Sequence, residues 1–151
     1  MNNIKLLSFY DEDFETVKYI RTTVFIEEQG AIAEEEFDEY DKISTFAILY
    51  DNDCAVGTAR FVLTEQGYKI GRIALLKNGR GKGYGAEIVR FVVQKVFEKG
   101  ADFVLVDSQN YAVPFYEKIG FKVIGSEIVD RGLAHIPMRI EKGEFCYGKD
   151  E

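Results

Sequence analysis

The residues most suited to chemistry cluster at Gly79-Arg80-Gly81-Lys82-Gly83-Tyr84-Gly85, where four glycines alternate with two cations and an aromatic ring. Glycine leaves its backbone N–H uncovered, and each costs about 0.5–1 kcal/mol relative to alanine inside regular structure, so four together need a use. An amphipathic run follows at once, which puts the glycines at a helix start. There the N–H groups without helical acceptors meet the positive end of the helix dipole, and a phosphate or diphosphate is the matching ligand. Arg80 and Lys82 add charge to such a site. A Walker A loop is excluded, because it needs Ser or Thr after its Gly-Lys and here Lys82 is followed by Gly83. A dinucleotide fingerprint is closer, with Gly81-x-Gly83-x-x-Ala86 and Asp107 at the place of a ribose-binding acid. That fold repeats parallel strand–helix units, however, and this chain offers a single one.

A third pattern is Arg80-x-x-Gly83-x-Gly85, preceded by Arg72-Ile73-Ala74-Leu75 and followed downstream by Ala112-x-x-Phe115-Tyr116-x-x-x-Gly120-Phe121. In these segments, and in element order over nearly the whole chain, the sequence resembles the GNAT superfamily of N-acetyltransferases. The resemblance implies one α/β (α+β) domain over residues 1–151, with a mixed, mostly antiparallel central sheet of about seven strands and helices on both faces. It implies acetyl-CoA as co-substrate, its diphosphate held by the backbone of Arg80, Gly81, Lys82, Gly83, Tyr84, Gly85 and Ala86. Ile73, Ala74 and Leu75 would pair with the pantetheine arm as an added strand, an N–H near Leu75 meeting the thioester oxygen. The family often carries Asn seven residues before the tyrosine; Gln109 stands there with Asn110 beside it, so both are candidate contacts. Three further segments are similar to a bacterial branch of acetyltransferases of undefined substrate. They are Arg21-x-x-Val24-Phe25-x-x-Glu28-Gln29, Glu36-x-Asp38-x-x-Asp41 and Gly132-x-x-His135-x-x-Met138.

Acyl transfer to an amine requires a neutral amine, a polarised carbonyl and a departing thiolate. A lysine-like amine with pKa near 10.4 is neutral in only about 4 of 10,000 molecules at pH 7, a cost of roughly 4.6 kcal/mol; a peptide α-amine costs about 1 kcal/mol. The acceptor's basicity therefore sets how strong a base is needed. Candidates are Glu28, Asp41 and His135, directly or through a water, with His135 nearest the useful range. Arg21, on the same helix as Glu28, either pairs with it or binds an anionic substrate group, and the acidic stretch 34–41 is placed to attract a cationic amine. Tyr116 occupies the family's general-acid position. A phenol near 10 protonating a thiolate whose acid lies near 8.5 is uphill by roughly 2 kcal/mol, so Tyr116 assists rather than drives. The acceptor is a small-molecule or peptide amine; the alternative is a non-catalytic acyl-CoA-binding or protein-interaction domain.

These groups must be positioned by elements that the apolar spacing makes visible. Residues 4–9 read as a strand, and Asp11 or Asp13 caps a helix with Phe14, Val17, Ile20, Val24 and Phe25 on one face, ending near Gly30. The stretch 34–41 is too acidic for burial and reads as a loop or exposed turn. Runs at 45–50 and 55–63 flank Asp51-Asn52-Asp53 as a hairpin, and 68–76 follows. After the glycine turn, Ile88, Val89, Val92, Val93, Val96 and Phe97 form one helical stripe, then 103–106 reads as a strand buried on both faces. A short helix at 112–119 and strands at 121–128 and 134–140 complete the order β-α-βββ-α-β-α-ββ.

At 151 residues, 46% hydrophobic and 30% charged, the chain reads as one soluble domain. A net charge of -7 disfavours nucleic acid and anionic membrane as main partners. The start lacks a signal peptide's apolar core, which reads as a cytoplasmic protein. Cys54, Cys146 and one histidine make neither a disulfide frame nor a metal site. Residues 11–53 carry a local balance of -11 and residues 72–99 one of +5, which suggests an acidic end and a basic end facing different ligands.

Overall fold

A computed structural model describes residues 2–145. Eight strands, β1 (Asn2–Ser8), β2 (Thr45–Asp51), β3 (Cys54–Thr64), β4 (Gly67–Leu75), β5 (Phe103–Gln109), β6 (Lys122–Val123), β7 (Ile128–Asp130) and β8 (Leu133–Glu141), join in one sheet. The order is β1-β2-β3-β4-β5-β8-β6, with β7 also on β8. All pairings are antiparallel except β4–β5. The mostly antiparallel α/β architecture agrees with the expectation, one strand richer because the stretch 121–128 resolves into separate β6 and β7.

Why helices cover both faces is written in β2. Its side chains alternate, Ala47 and Leu49 entering one core and Phe46 and Ile48 another. The first face is covered by α3 (Tyr84–Glu98), whose stripe from Ile88 to Phe97 is essentially sealed from solvent. Each such side chain contributes about 1.5–3 kcal/mol of gross burial. The short α4 (Val113–Ile119), started by Pro114 and stopped by Gly120, adds Tyr116 and Ile119 to the same core. Opposite lies α1 (Phe14–Arg21), which buries Phe14 and Val17. It runs into a π-helical segment, Thr22–Glu28, whose wider turn is marked by Gln29 N–H donating to Val24 O at 3.2 Å. Such segments recur at functional sites.

The acidic stretch departs from expectation. Within it, α2 (Ala33–Glu36) and the turn after it bury Glu36 and Asp41 almost completely. Four arginines distant in sequence make this possible. Arg21, itself fully buried, donates from Nε to Glu36 Oε2 at 2.9 Å and from Nη1 to Asp41 Oδ1 at 2.8 Å, and lies 4.6 Å over the Phe37 ring. Arg60 binds Asp38 and Asp41 at 2.7 Å each, Arg131 binds Glu36 at 2.7 Å, and Arg72 reaches the Glu36 carbonyl at 2.9 Å. Glu36, Asp38 and Asp41 thus form a cross-braced network, while Glu34, Glu35 and Glu39 of the same stretch stay exposed. Burial alone would push the Asp38 carboxyl up, but the Arg60 hydrogen bonds and the charges of Arg60, Arg72 and Arg21 hold it below its ordinary value.

Among the described residues no helix is long and apolar enough to cross a membrane, and no cluster of three His, Cys, Asp or Glu could hold a metal ion. Cys54 is exposed and free, and Cys146 lies outside the described residues.

Candidate active site

The β4–β5 pair is where the sheet opens beside the glycine turn. Parallel pairing holds only at Lys69↔Leu105 and Ile70↔Val106, and beyond it the two strands diverge. The cause is local. Opposite Thr58 to Arg60 of β3, β4 carries an extra residue, and Arg72 within this bulge takes φ 51°, a left-handed value costly for a residue with Cβ. Divergence of the strands opens a cavity of about 420 Å³, bounded by β4, β5, the π-helical segment, α4 and the start of α3. This volume lies in the range of small-ligand sites, about 300–1,000 Å³.

Among the residues singled out from sequence, Ile73, Ala74, Leu75, Arg80 and Gly85 line this cavity, as do Glu28, Gln109, Tyr116 and His135. The rest of the glycine turn, Gly81, Lys82 and Gly83, does not line it, and Tyr84 and Ala86 stand in the first turn of α3. Gly83 is the helix N-cap at φ 81° and offers no side-chain cap; Gly81 has φ 77°. A Cβ at either would meet nothing within 4 Å, so the space over these amides is open. The first helical amide with a backbone acceptor outside the helix is Glu87 N–H, on Gly83 O at 3.1 Å. The N–H groups of Tyr84, Gly85 and Ala86 thus point out of the turn, as an oxyanion cradle requires. Lys82 stands 3.6 Å from Asp51, and Asn110 sits in the short turn between β5 and α4.

Two bridges cross the cavity. Arg80 donates from Nη2 to Glu28 Oε1 at 2.6 Å and to Leu75 O at 2.8 Å. Gln109 donates to Gln29 Oε1 at 2.6 Å, and Gln29 in turn reaches Tyr111 Oη at 3.3 Å. Glu28 is therefore partnered by Arg80, not by Arg21. Tyr116 is held edge-on between Phe115 and Phe121, ring centroids 5.0 and 5.5 Å away, and burial, aided by nearby Tyr111, pushes its phenol far above the ordinary value. It keeps its proton at any physiological pH.

His135, only 2% exposed, has both ring nitrogens engaged, Nδ1 at 2.9 Å from Leu133 O and Nε2 at 3.3 Å from Arg131 Nη2. Arg131 can only donate, so Nε2 accepts and Nδ1 carries the proton. Burial lowers the imidazole below its ordinary 6.5, outweighing the Leu133 carbonyl, and the Arg131 charge lowers it further. Because the unfolded chain takes up this proton first, folding stability is expected to be full above about pH 6.5 and to decline as pH falls toward the lowered folded value. The chain has a single histidine, so His135→Gln should abolish that slope in urea unfolding between about pH 5 and 7.5. An identical slope in the variant would assign it to other groups.

Arg72, Asp107 and Arg131 also line the cavity and were not picked out as site residues from sequence. Asp107 had a signal, as the acid of the rejected dinucleotide reading, whereas Arg131 had none. Asp41 and Arg21 belong to the buried network instead.

Comparison with known proteins agrees with this geometry. The family model described as an acetyltransferase (GNAT) domain matches residues 10–142. The uncharacterized N-acetyltransferase YjcF of Bacillus subtilis is 34% identical over 129 residues, covering 85% of this chain and 92% of its own. Among solved structures, Escherichia coli ElaA superposes with TM-score 0.82 at 21% identity, over 93% of this chain and 100% of that one. An N-acetylglutamate synthase from Neisseria gonorrhoeae, complexed with coenzyme A and N-acetyl-glutamate, has TM-score 0.69 at 16% identity over 92% of this chain and 35% of its own. With its parted parallel strands, glycine turn and matching family model, the chain belongs to the GNAT acetyltransferase family and is an acyltransferase.

Proposed function

We propose that this protein transfers an acetyl group from acetyl-CoA directly to an amine. The observation that carries the reading is one cavity lined by Gly85 at the uncapped start of α3, by the free inner edge of β4 and by Tyr116. Bound acetyl-CoA supplies an activated acyl carbon and a thiolate leaving group. The chain's own residues do the rest. The turn 80–86 holds the diphosphate, and Ile73 to Leu75 pair with the pantetheine arm along the edge that β5 leaves unpaired. Glu28, at the cavity wall, accepts the amine proton directly or through a water as nitrogen bonds to the acyl carbon and the carbon–sulfur bond breaks. His135 lends its free lone pair to Arg131 and so acts as a positioning residue. Glu28 then gives its proton up to solvent and the thiolate takes one from solvent, so the products are an N-acetyl amine and the free thiol.

Burial makes Tyr116 a constant hydrogen-bond donor but a poor acid, so its role is to stabilise the departing thiolate through a charge-assisted bond. Such a bond is worth about 1.5–3 kcal/mol, and Tyr116→Phe is therefore expected to lower kcat about 10- to 150-fold. Coenzyme A affinity should change little, since the ring remains. Steady-state rates of thiol release, with calorimetry for the cofactor, check this, and an unchanged kcat removes Tyr116 from the reaction. A panel of peptide, sugar, polyamine and small amines tests the reading itself. Coenzyme A binding without thiol release on any of them would make the chain an acyl-CoA-binding module instead.

A further inference from the structure

A second cavity, about 330 Å³, meets the first where β4 and β5 part, and the two share Gly71, Arg72, Asp107, Arg131 and His135. The glycine turn, α3 and α4 contribute nothing to it; its walls come from the outer ends of β3 and β4, the acidic loop and β7. If the first cavity takes the donor arm, as the proposed function holds, the second is the way in for the acceptor. Its lining carries four cations and three carboxylates. The carboxylates are committed, since Asp38 is forked by Arg60, Asp107 lies 2.6 Å from Lys69, and Asp130 lies 3.1 Å from Arg131.

Among the cations, Arg72, which lines both cavities, keeps a terminal nitrogen without a hydrogen bond. Its Nε and Nη2 are bound to Glu36 and Asp38, but Nη1 approaches only Asp130, at 3.8 Å, beyond hydrogen-bond reach. Every fully buried side-chain nitrogen or oxygen among the described residues has a hydrogen-bond partner. Nη1 of Arg72, having none, therefore opens into the cavity. The strained backbone at Arg72 delivers it to this point. Burial, with Arg60 and Arg131 nearby, brings the guanidinium down to about 10 despite the Glu36 charge, so it is still charged at neutral pH.

From this geometry we propose that the acceptor is an amine that carries a carboxylate, of amino-acid type, with the carboxylate seated on Nη1 of Arg72 and the amine reaching the acyl carbon where the two cavities meet. A carboxylate gives Nη1 a charge-assisted hydrogen bond, an amide only a neutral carbonyl acceptor, and a plain amine no acceptor at all. Nothing in the sequence marks this, because Arg72 meets its partners through residues 34 and more positions away.

The test uses matched pairs of amino acids and their amides as acceptors, and matched N-acetylalanine and N-acetylalaninamide in calorimetry with and without coenzyme A. The acid of each pair is expected to be preferred about 10- to 150-fold, in KM or Kd. Arg72→Lys, which keeps charge but loses the fork, should shrink that preference to about threefold or less while coenzyme A affinity stays at the wild-type value. Equal binding of acid and amide, or a preference untouched in Arg72→Lys, overturns the proposal even if coenzyme A binds. Preferred binding of the acid by a chain that fails to bind coenzyme A would sustain the arginine site and sink the donor reading.

Discussion

Arg21→Leu is expected to lower the unfolding free energy by about 3–5 kcal/mol, as removal of one partner from a buried ion network does elsewhere. Arg21 is fully buried, and its guanidinium supplies four hydrogen bonds, to Glu36 and Asp41 side chains and to the Glu36 carbonyl. Leucine fills some of the volume but leaves two carboxylates buried with less compensation. Domains of this size have about 5–15 kcal/mol in total, so the loss is a large fraction. Urea unfolding at neutral pH measures it. The exposed Lys5–Asp13 pair provides the contrast, and Lys5→Ala should leave the midpoint almost unmoved. A cost for Arg21→Leu below about 1 kcal/mol would mean that the network braces a shape rather than stability.

Gly83→Val should remove coenzyme A binding while the domain stays folded. Valine at φ 81° is strained by at least about 1–2 kcal/mol, so the backbone will turn toward negative φ and rotate the following amides out of line. The new side chain also enters the open space over the turn. Losing two amide bonds to a charged diphosphate, about 1.5–3 kcal/mol each, corresponds to a drop in affinity of about 10²- to 10⁴-fold. Calorimetry with coenzyme A reads it, with circular dichroism to establish folding. Undiminished affinity in a folded Gly83→Val would place the diphosphate elsewhere.

The two predictions differ in how visible their residues were beforehand. Gly83 stood out because local rules govern it: a helix needs a start, and only glycine accepts a left-handed backbone without cost. The α3 stripe and the alternation of β2 were equally plain, since periodicity is a property of neighbours in sequence. Burial of Glu36 and Asp41 was not, because a run of carboxylates is costly to bury until its counter-ions are known. Those counter-ions, Arg21, Arg60, Arg72 and Arg131, come from α1, β3, β4 and the β7–β8 turn, which only the packed chain brings together.

By itself the sequence determined the main strands and helices, the glycine turn, the acyltransferase resemblance and the tyrosine beside it, all of which depend on contacts a few residues apart or on motif spacing; the short α2 and the split of β6 from β7 were not legible in it. Tertiary structure decided the partners of Glu28 and His135, the bulge that splays β4 from β5, and the opening of Arg72 into a second cavity. The physical reason is that electrostatic pairing and cavity shape depend on distance in space, and no composition or period along the chain encodes which distant charges will meet.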